Sequence, residues 1–329
     1  MGLTKFKTKV KNAINCLVNG IDPPRIILTY HRIGTDQEPD PACLSVSQAH
    51  FTEQLAVLEA TCTIVPLEQI STAKKRVVAI TFDDGYADIL HRAAPLLAAH
   101  QMPATVFVTT GFMDSQREAW WDLLAQALLS HHPVPAVLQA EVASFSNDLP
   151  TATQVQRCLA YQRLSSNLVT LSAAEIAVII ASVSQWAGRT LEYRESHRFL
   201  TRAELVKLAS IPGISIGSHG VTHVSLARQS GRIQDAELTQ SKSILSEIIK
   251  SPVETFAYPF GSPAAVERST ITRAKLTGYQ LAVTTNPGQV HSWSSLHSLR
   301  RHTVRDWDGP EFAQQLHRFW TRSDHPDVL

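Results

Sequence analysis

Thr81-Phe82-Asp83-Asp84-Gly85 sets two carboxylates side by side, directly after the apolar, β-branched run Val77-Val78-Ala79-Ile80. Like charges that close repel, and burial at a strand end makes the repulsion worse. A fold keeps such a pair where a cation or acid–base chemistry offsets the cost. Ser218-His219-Gly220-Val221-Thr222-His223 then spaces two imidazoles four residues apart, so that both can face one metal ion from a single turn. A hydrolytic metal site needs three protein ligands and an open position for water. Asp84, His219 and His223 would supply one oxygen and two nitrogens. The proton of that water needs a base. In an HExxH site the base is the glutamate after the first histidine, but here Gly220 holds that place. Asp83 adjoins a ligand and is the candidate base, since a nearby cation would keep it ionised. Zinc is the expected metal, with nickel or cobalt able to use the same ligands. Two histidines and a carboxylate also make the facial triad of non-haem iron oxygenases. The adjacent second Asp and the HxxxH spacing favour hydrolysis.

The elements that must carry these residues alternate between strand and helix, which predicts an α/β fold with a largely parallel sheet. Strands are expected at Ile26–Tyr30, Thr63–Val65, 77–82, Thr105–Val108, Ile214–Ile216, Phe256–Tyr258 and Leu281–Thr284. Helices are expected over about 47–60, 87–100, 201–209, 233–250 and 261–276, and from 309 onward, where Pro310 suits a first turn. Ser172-Ala173-Ala174-Glu175 and Thr201-Arg202-Ala203-Glu204 both fit capping boxes. The stretch 112–200, which contains Trp120-Trp121-Asp122, breaks the rhythm and reads as a mostly helical insertion. His31, Asp83, Asp84, His219, Pro259 and Phe260 each lie at the end of an expected strand. The C-terminal ends of strands are where α/β folds place their chemistry.

With those motifs in hand, the chain resembles the polysaccharide deacetylase, or NodB-homology, family (carbohydrate esterase family 4), over about residues 25–308. TFDDG at 81–85 is similar to the family's first motif, which implies Asp83 as base and Asp84 as metal ligand. SHGVTH at 218–223 is similar to its histidine motif, which implies His219 and His223 as ligands. Phe256-Ala257-Tyr258-Pro259-Phe260-Gly261 resembles the third motif, which implies a groove lined by Tyr258, Pro259 and Phe260. Leu28-Thr29-Tyr30-His31-Arg32 resembles the family's opening strand. The resemblance implies an irregular (β/α) barrel of about seven strands. It also implies removal of acetyl groups from an N-acetylated sugar or polysaccharide, with a backbone N–H of Tyr258 or Phe260 aiding the metal at the oxyanion. The alternatives are an O-acetyl esterase on the same fold and a non-catalytic glycan-binding homologue. Two departures stand out. The family's third motif begins with an Arg that orients the base, and Ala257 occupies that position. Arg300 or Arg301 could supply a guanidinium from another direction, and Arg301 is taken as a groove residue. The Leu-x-His motif that supplies the general acid has no counterpart, although His297 and His302 lie in the right part of the chain. His31 is expected beside the catalytic groups. Trp120 and Trp121 could wall the groove by stacking on sugar rings.

The 30 basic and 29 acidic side chains balance, and nothing argues for nucleic acid. Cys16, Cys43, Cys62 and Cys158 form no CxxC, so neither a disulfide scaffold nor a cysteine metal site is implied. No run is long enough to span a bilayer, and lysines at 5, 7, 9 and 11 interrupt any secretory h-region. The expected location is cytoplasmic or peripheral at the inner face of the membrane. Leu3, Phe6, Val10, Ile14 and Leu17 share a helical face, so residues 3–18 could touch an anionic membrane surface or pack on the domain's flank. The former would suit a lipid-linked substrate. The expected organisation is a helix over 1–22, the barrel over 23–308 and a C-terminal helix and tail over 309–329.

Overall fold

Val77–Phe82 and Arg25–Tyr30 are buried at every residue, the signature of parallel strands covered on both faces. The computed structural model that shows this describes residues 19–34, 40–115, 117–142, 145–188, 190–191 and 193–321. The amphipathic segment expected over 3–18 lies outside these residues, as does the end of the expected tail.

Strand β1 (Arg25–Tyr30) is followed by a side pair, β2 (Arg32–Gly34) with β3 (Ser45–Ser47), and by helix α1 (Gln48–Thr61). Then come β4 (Val77–Phe82), α2 (Ala94–Ala99) and β5 (Ala104–Val108). An insertion follows: α3 (Trp120–Leu129), β6 (Val137–Val142), β7 (Phe145–Pro150), α4 (Gln154–Leu168) and α5 (Ala173–Trp186). The alternation resumes with α6 (Arg202–Ala209), β8 (Ile214–Ser218), α7 (Gly231–Ile249), β9 (Thr255–Ala257), α8 (Arg268–Leu276), β10 (Leu281–Val283), β11 (His302–Thr303) and α9 (Gly309–Thr321). Seven of these strands form one sheet in the order β10-β9-β8-β5-β4-β1-β11, and every pairing is parallel.

The sheet curls into an open barrel. Alternate residues face two cores. Ile26, Leu28, Val78, Ile80, Val106 and Phe256 pack outward against helices. Ile27, Ala79, Phe107, Ala257 and Val283 fill the inside together with Leu299. The interior is tight enough that a Cβ on Gly217 would meet the Phe107 ring at 2.4 Å. Between the edge strands β10 and β11 the wall is completed by residues 296–301. Leu299 exchanges backbone hydrogen bonds with Ala282 and Thr284, and Arg301 N–H donates to the Asn286 carbonyl.

Two expectations are corrected. Thr63–Val65 makes a single parallel bridge from Ile64 to Val78, not a strand, with Val65 N–H on the Val78 carbonyl and Val78 N–H on the Thr63 carbonyl. The insertion holds an antiparallel hairpin, β6–β7, besides its helices. It also has its own core, in which Leu124, Leu128, Leu138, Leu164, Ile176 and Val183 are buried together. Helix α3 belongs to both bodies: Trp121 lies in the barrel core, Leu124 onward in the insertion core, and Trp120 packs against both. The two capping boxes are present, with Ser172 accepting from Glu175 N–H and Thr201 from Glu204 N–H.

Candidate active site

Strand β4 delivers its two carboxylates in opposite directions. Asp83 N–H continues the sheet ladder to the Tyr30 carbonyl at 2.9 Å, and the side chain turns into the barrel. Asp84 has φ 71° and Gly85 has φ 83°, so the chain bends sharply there. A left-handed aspartate costs energy and persists where surrounding structure demands it. That bend carries Asp84 away from Asp83 and toward β8.

His219 leaves the end of β8 with its N–H on the Val108 carbonyl. Its Nδ1 lies 2.7 Å from the Ala257 carbonyl, which assigns the proton to Nδ1 and leaves Nε2 available. The second histidine is brought back by a tight loop with two left-handed residues. Gly220 has φ 79° and His223 has φ 56°. Glu237, from α7, holds this loop: its carboxylate accepts from Val221 N–H at 2.7 Å, Thr222 N–H at 3.0 Å and the Thr222 hydroxyl at 2.6 Å. A Cβ on Gly220 would stand 2.9 Å from Glu237 Oε2.

The Nε2 atoms of His219 and His223 lie 3.4 and 3.2 Å from Asp84 Oδ1. One ligand atom from each residue falls within 4.8 Å of the others, and all three residues are buried. Burial alone would raise the Asp84 carboxyl, but the close His219 and His223 imidazoles hold it well below the usual range. For His219, burial lowers the imidazole and the charges of Asp83 and Asp84 more than restore it. A buried carboxylate anion converging with two imidazole nitrogens fits a divalent cation, and no cysteine joins the set.

Arg301 is fully buried, and its guanidinium reaches Asp83 in a fork: Nη1 donates to Oδ1 at 2.7 Å and Nη2 to Oδ2 at 2.6 Å. Nε donates to the Thr284 carbonyl at 2.9 Å and Nη1 also to Thr81 Oγ1 at 3.1 Å. The expectation that Arg301 lines the groove is therefore corrected, since the whole side chain is spent inside the barrel. Burial would raise Asp83, but Arg301, then His219, holds it below its ordinary value. His31 is half-buried beside the same groups. Burial lowers its imidazole against the pull of Asp84 and Asp83.

Of Tyr258, Pro259 and Phe260, only Phe260 is left partly exposed beside the cluster. It is half-buried at φ 60°, with its ring 4.7 Å from His223. Tyr258 is fully buried and its hydroxyl donates to the His297 carbonyl, because the strand phase turns it into the helix-side core. Its N–H already donates to the Val283 carbonyl at 3.1 Å, so it is not an oxyanion donor. Pro259 is buried beside Gly220. Trp120 is half-buried, 6.4 Å from Phe260. His297 is turned to the Tyr279 carbonyl and His302 stacks on Phe319, so neither approaches Asp83. Glu237 was missed by sequence reasoning. Its signal was a charged residue in register with the buried Gln234, Leu238 and Ser241 of α7.

The polysaccharide deacetylase family model matches residues 70–137 and 162–282, more than half of the chain. The chain belongs to the polysaccharide deacetylase family. The Bacillus subtilis (strain 168) protein YxkH is 30% identical over 105 residues, which span 32% of this chain and 37% of that protein. Among solved structures, the Streptococcus pyogenes deacetylase PplD in complex with acetate is 21% identical. That match covers 89% of this chain and 98% of PplD at a TM-score of 0.57. IcaB from Ammonifex degensii is 15% identical over 91% of this chain and 97% of its own, also at 0.57. These likenesses establish the (β/α) barrel fold. No helix among the described residues is long and apolar enough to cross a membrane.

Proposed function

We propose that the protein is a metal-dependent hydrolase that removes acetyl groups from N-acetylated sugar units of an oligo- or polysaccharide. One observation carries the reading: the buried Asp83–Arg301 fork sits one residue from the Asp84, His219 and His223 cluster. Asp84, His219 and His223 would hold a divalent cation, zinc in the first instance. Such a cation supplies acidity to a water and polarisation to an acetyl carbonyl. Asp83 takes the proton from the attacking water, and Arg301 keeps that carboxylate ionised and oriented. Phe260 and Trp120 form an apolar wall against which a sugar face rests. The Phe260 N–H is the remaining candidate donor to the oxyanion. His31, half-buried beside Asp84 and Asp83, is the candidate to serve the leaving nitrogen.

The test is acetate release from acetylated chito-oligosaccharides, with an O-acetylated oligosaccharide as a parallel substrate. Zinc-loaded wild type is compared with Asp83→Asn and His219→Ala, and bound metal is assayed in each. Asp83→Asn is expected to keep its metal and lose on the order of 10²–10⁴ in rate. His219→Ala loses both metal and rate. Release only from the ester identifies an O-acetyl esterase. Oligosaccharide binding without release from either substrate sinks the catalytic reading.

A further inference from the structure

The two histidines are held in different ways. His219 is fixed by its Nδ1 hydrogen bond to Ala257. His223 Nδ1 is buried with no partner among the described residues, and its backbone has a left-handed φ of 56°. Apart from the contact of Nε2 with Asp84, neither a hydrogen bond nor backbone preference sets this ring. Ring packing does. Trp121 lies 4.7 Å away at 54°, Phe260 4.7 Å away at 75°, and Phe112 6.3 Å away at 25°.

Trp121 in turn is braced by a buried polar chain. Its Nε1–H donates to Tyr86 Oη at 3.0 Å, and Tyr86 donates to Asp122 Oδ2 at 2.8 Å. Arg32 Nη1 donates to Asp122 Oδ1 at 3.2 Å, and the Arg32 guanidinium lies 5.3 Å from the Tyr86 ring centre. Tyr86 stacks on Phe199 at 4.7 Å. Trp121, Tyr86, Asp122 and Arg32 are all buried. A buried ion pair is costly to form, and the linked hydrogen bonds restrict the side chains they join, although Arg32 Nε has no partner among the described residues. Tyr86 also belongs to the loop that carries Asp84, so the brace touches both partners of the Asp84–His223 contact.

We propose that helix α3 of the insertion positions the metal ligand His223 through Trp121, held by the Tyr86–Asp122–Arg32 chain. Trp121 is a positioning residue and touches no substrate. The inference rests on the reading that Asp84, His219 and His223 bind a metal. It gives the insertion a part in the metal centre.

The test reads metal affinity, not turnover. Apo full-length protein is titrated with Zn²⁺ against a competing chelator, Co²⁺ absorption reports ligand geometry, and thermal denaturation reports folding. Trp121→Ala is expected to weaken zinc about 10–100-fold, the usual cost of losing a ligand's support, and to alter the cobalt spectrum. Trp121→Phe, which keeps a ring, restores most of the affinity, and Tyr86→Phe falls between. Phe312→Leu, in the α9 core, lowers the melting temperature and leaves zinc affinity alone. Folded Trp121→Ala that binds zinc within about twofold of wild type overturns the inference. Should Trp121→Ala not fold, unchanged affinity and spectra in both Trp121→Phe and Tyr86→Phe overturn it instead. Wild type that binds no zinc overturns the metal reading and this inference together.

Discussion

Arg301 crosses the barrel interior to reach Asp83, and a bidentate fork is something lysine cannot reproduce. Arg301→Lys is therefore expected to keep the barrel folded and the metal bound while kcat falls, with KM little changed. Arg301→Ala leaves Asp83 buried without its partner, which costs about 3–5 kcal/mol. Urea denaturation of both variants checks the ranking. Ala257→Arg placed on the Arg301→Ala background tests whether a guanidinium from β9 serves equally. At this scale Asp83, Asp84, His219 and His223 were legible, because strand ends and paired spacing mark them. Arg301 was legible only as one of two neighbouring arginines. Which of them points inward depends on the phase of residues 296–301 against β10, and that is set by tertiary hydrogen bonds. In a continued strand Tyr258 and Phe260, two residues apart, would share a face. The left-handed bend at Phe260 is what decides which of them faces the groove.

Helix α6 shows how an element's entry is fixed. Thr201 accepts from Glu204 N–H, and Glu204 accepts from Thr201 N–H at 2.9 Å and from two Arg198 nitrogens at 2.7 and 2.8 Å. Arg198 and, against desolvation, Thr201 N–H and His91 hold the Glu204 carboxyl below its ordinary 4.5. A depressed carboxylate contributes stability that is fully present above the unfolded value and is lost as pH falls toward the folded one. The stability gap between wild type and Glu204→Gln, read by urea denaturation, is thus expected to be constant above about pH 6 and to shrink below about pH 4.5. A gap that widens in acid contradicts this. Both capping boxes were readable from four-residue patterns, since their hydrogen bonds are local. The β6–β7 hairpin was not, because Ala143-Ser144 between its strands carries no Asn-Gly or Asp-Gly turn signal.

Across the whole molecule, barrel and insertion have separate cores joined by α3. Leu164, fully buried in the insertion core, reports on that arrangement. Leu164→Ala should cost about 2–5 kcal/mol. Hydrogen exchange is expected to show the loss in α4 and α5, with β4 and β5 protected as in wild type. Exchange that rises equally in β4 would mean one cooperative unit. The largely parallel sheet was foreseeable from strand–helix alternation and the barrel of about seven strands from the family resemblance, whereas the second core was not, since length alone does not separate a decoration from a body. One consequence concerns the open wall between β10 and β11. Asp84 and His219 follow β4 and β8, Ala257 of β9 fixes the His219 ring and Glu237 of α7 holds the loop of His223. The counter-ion of Asp83 arrives only when residues 296–301 seal the last gap. On the proposed reading, displacing residues 296–301 would therefore strip the base of its counter-ion while leaving the three candidate metal ligands in place.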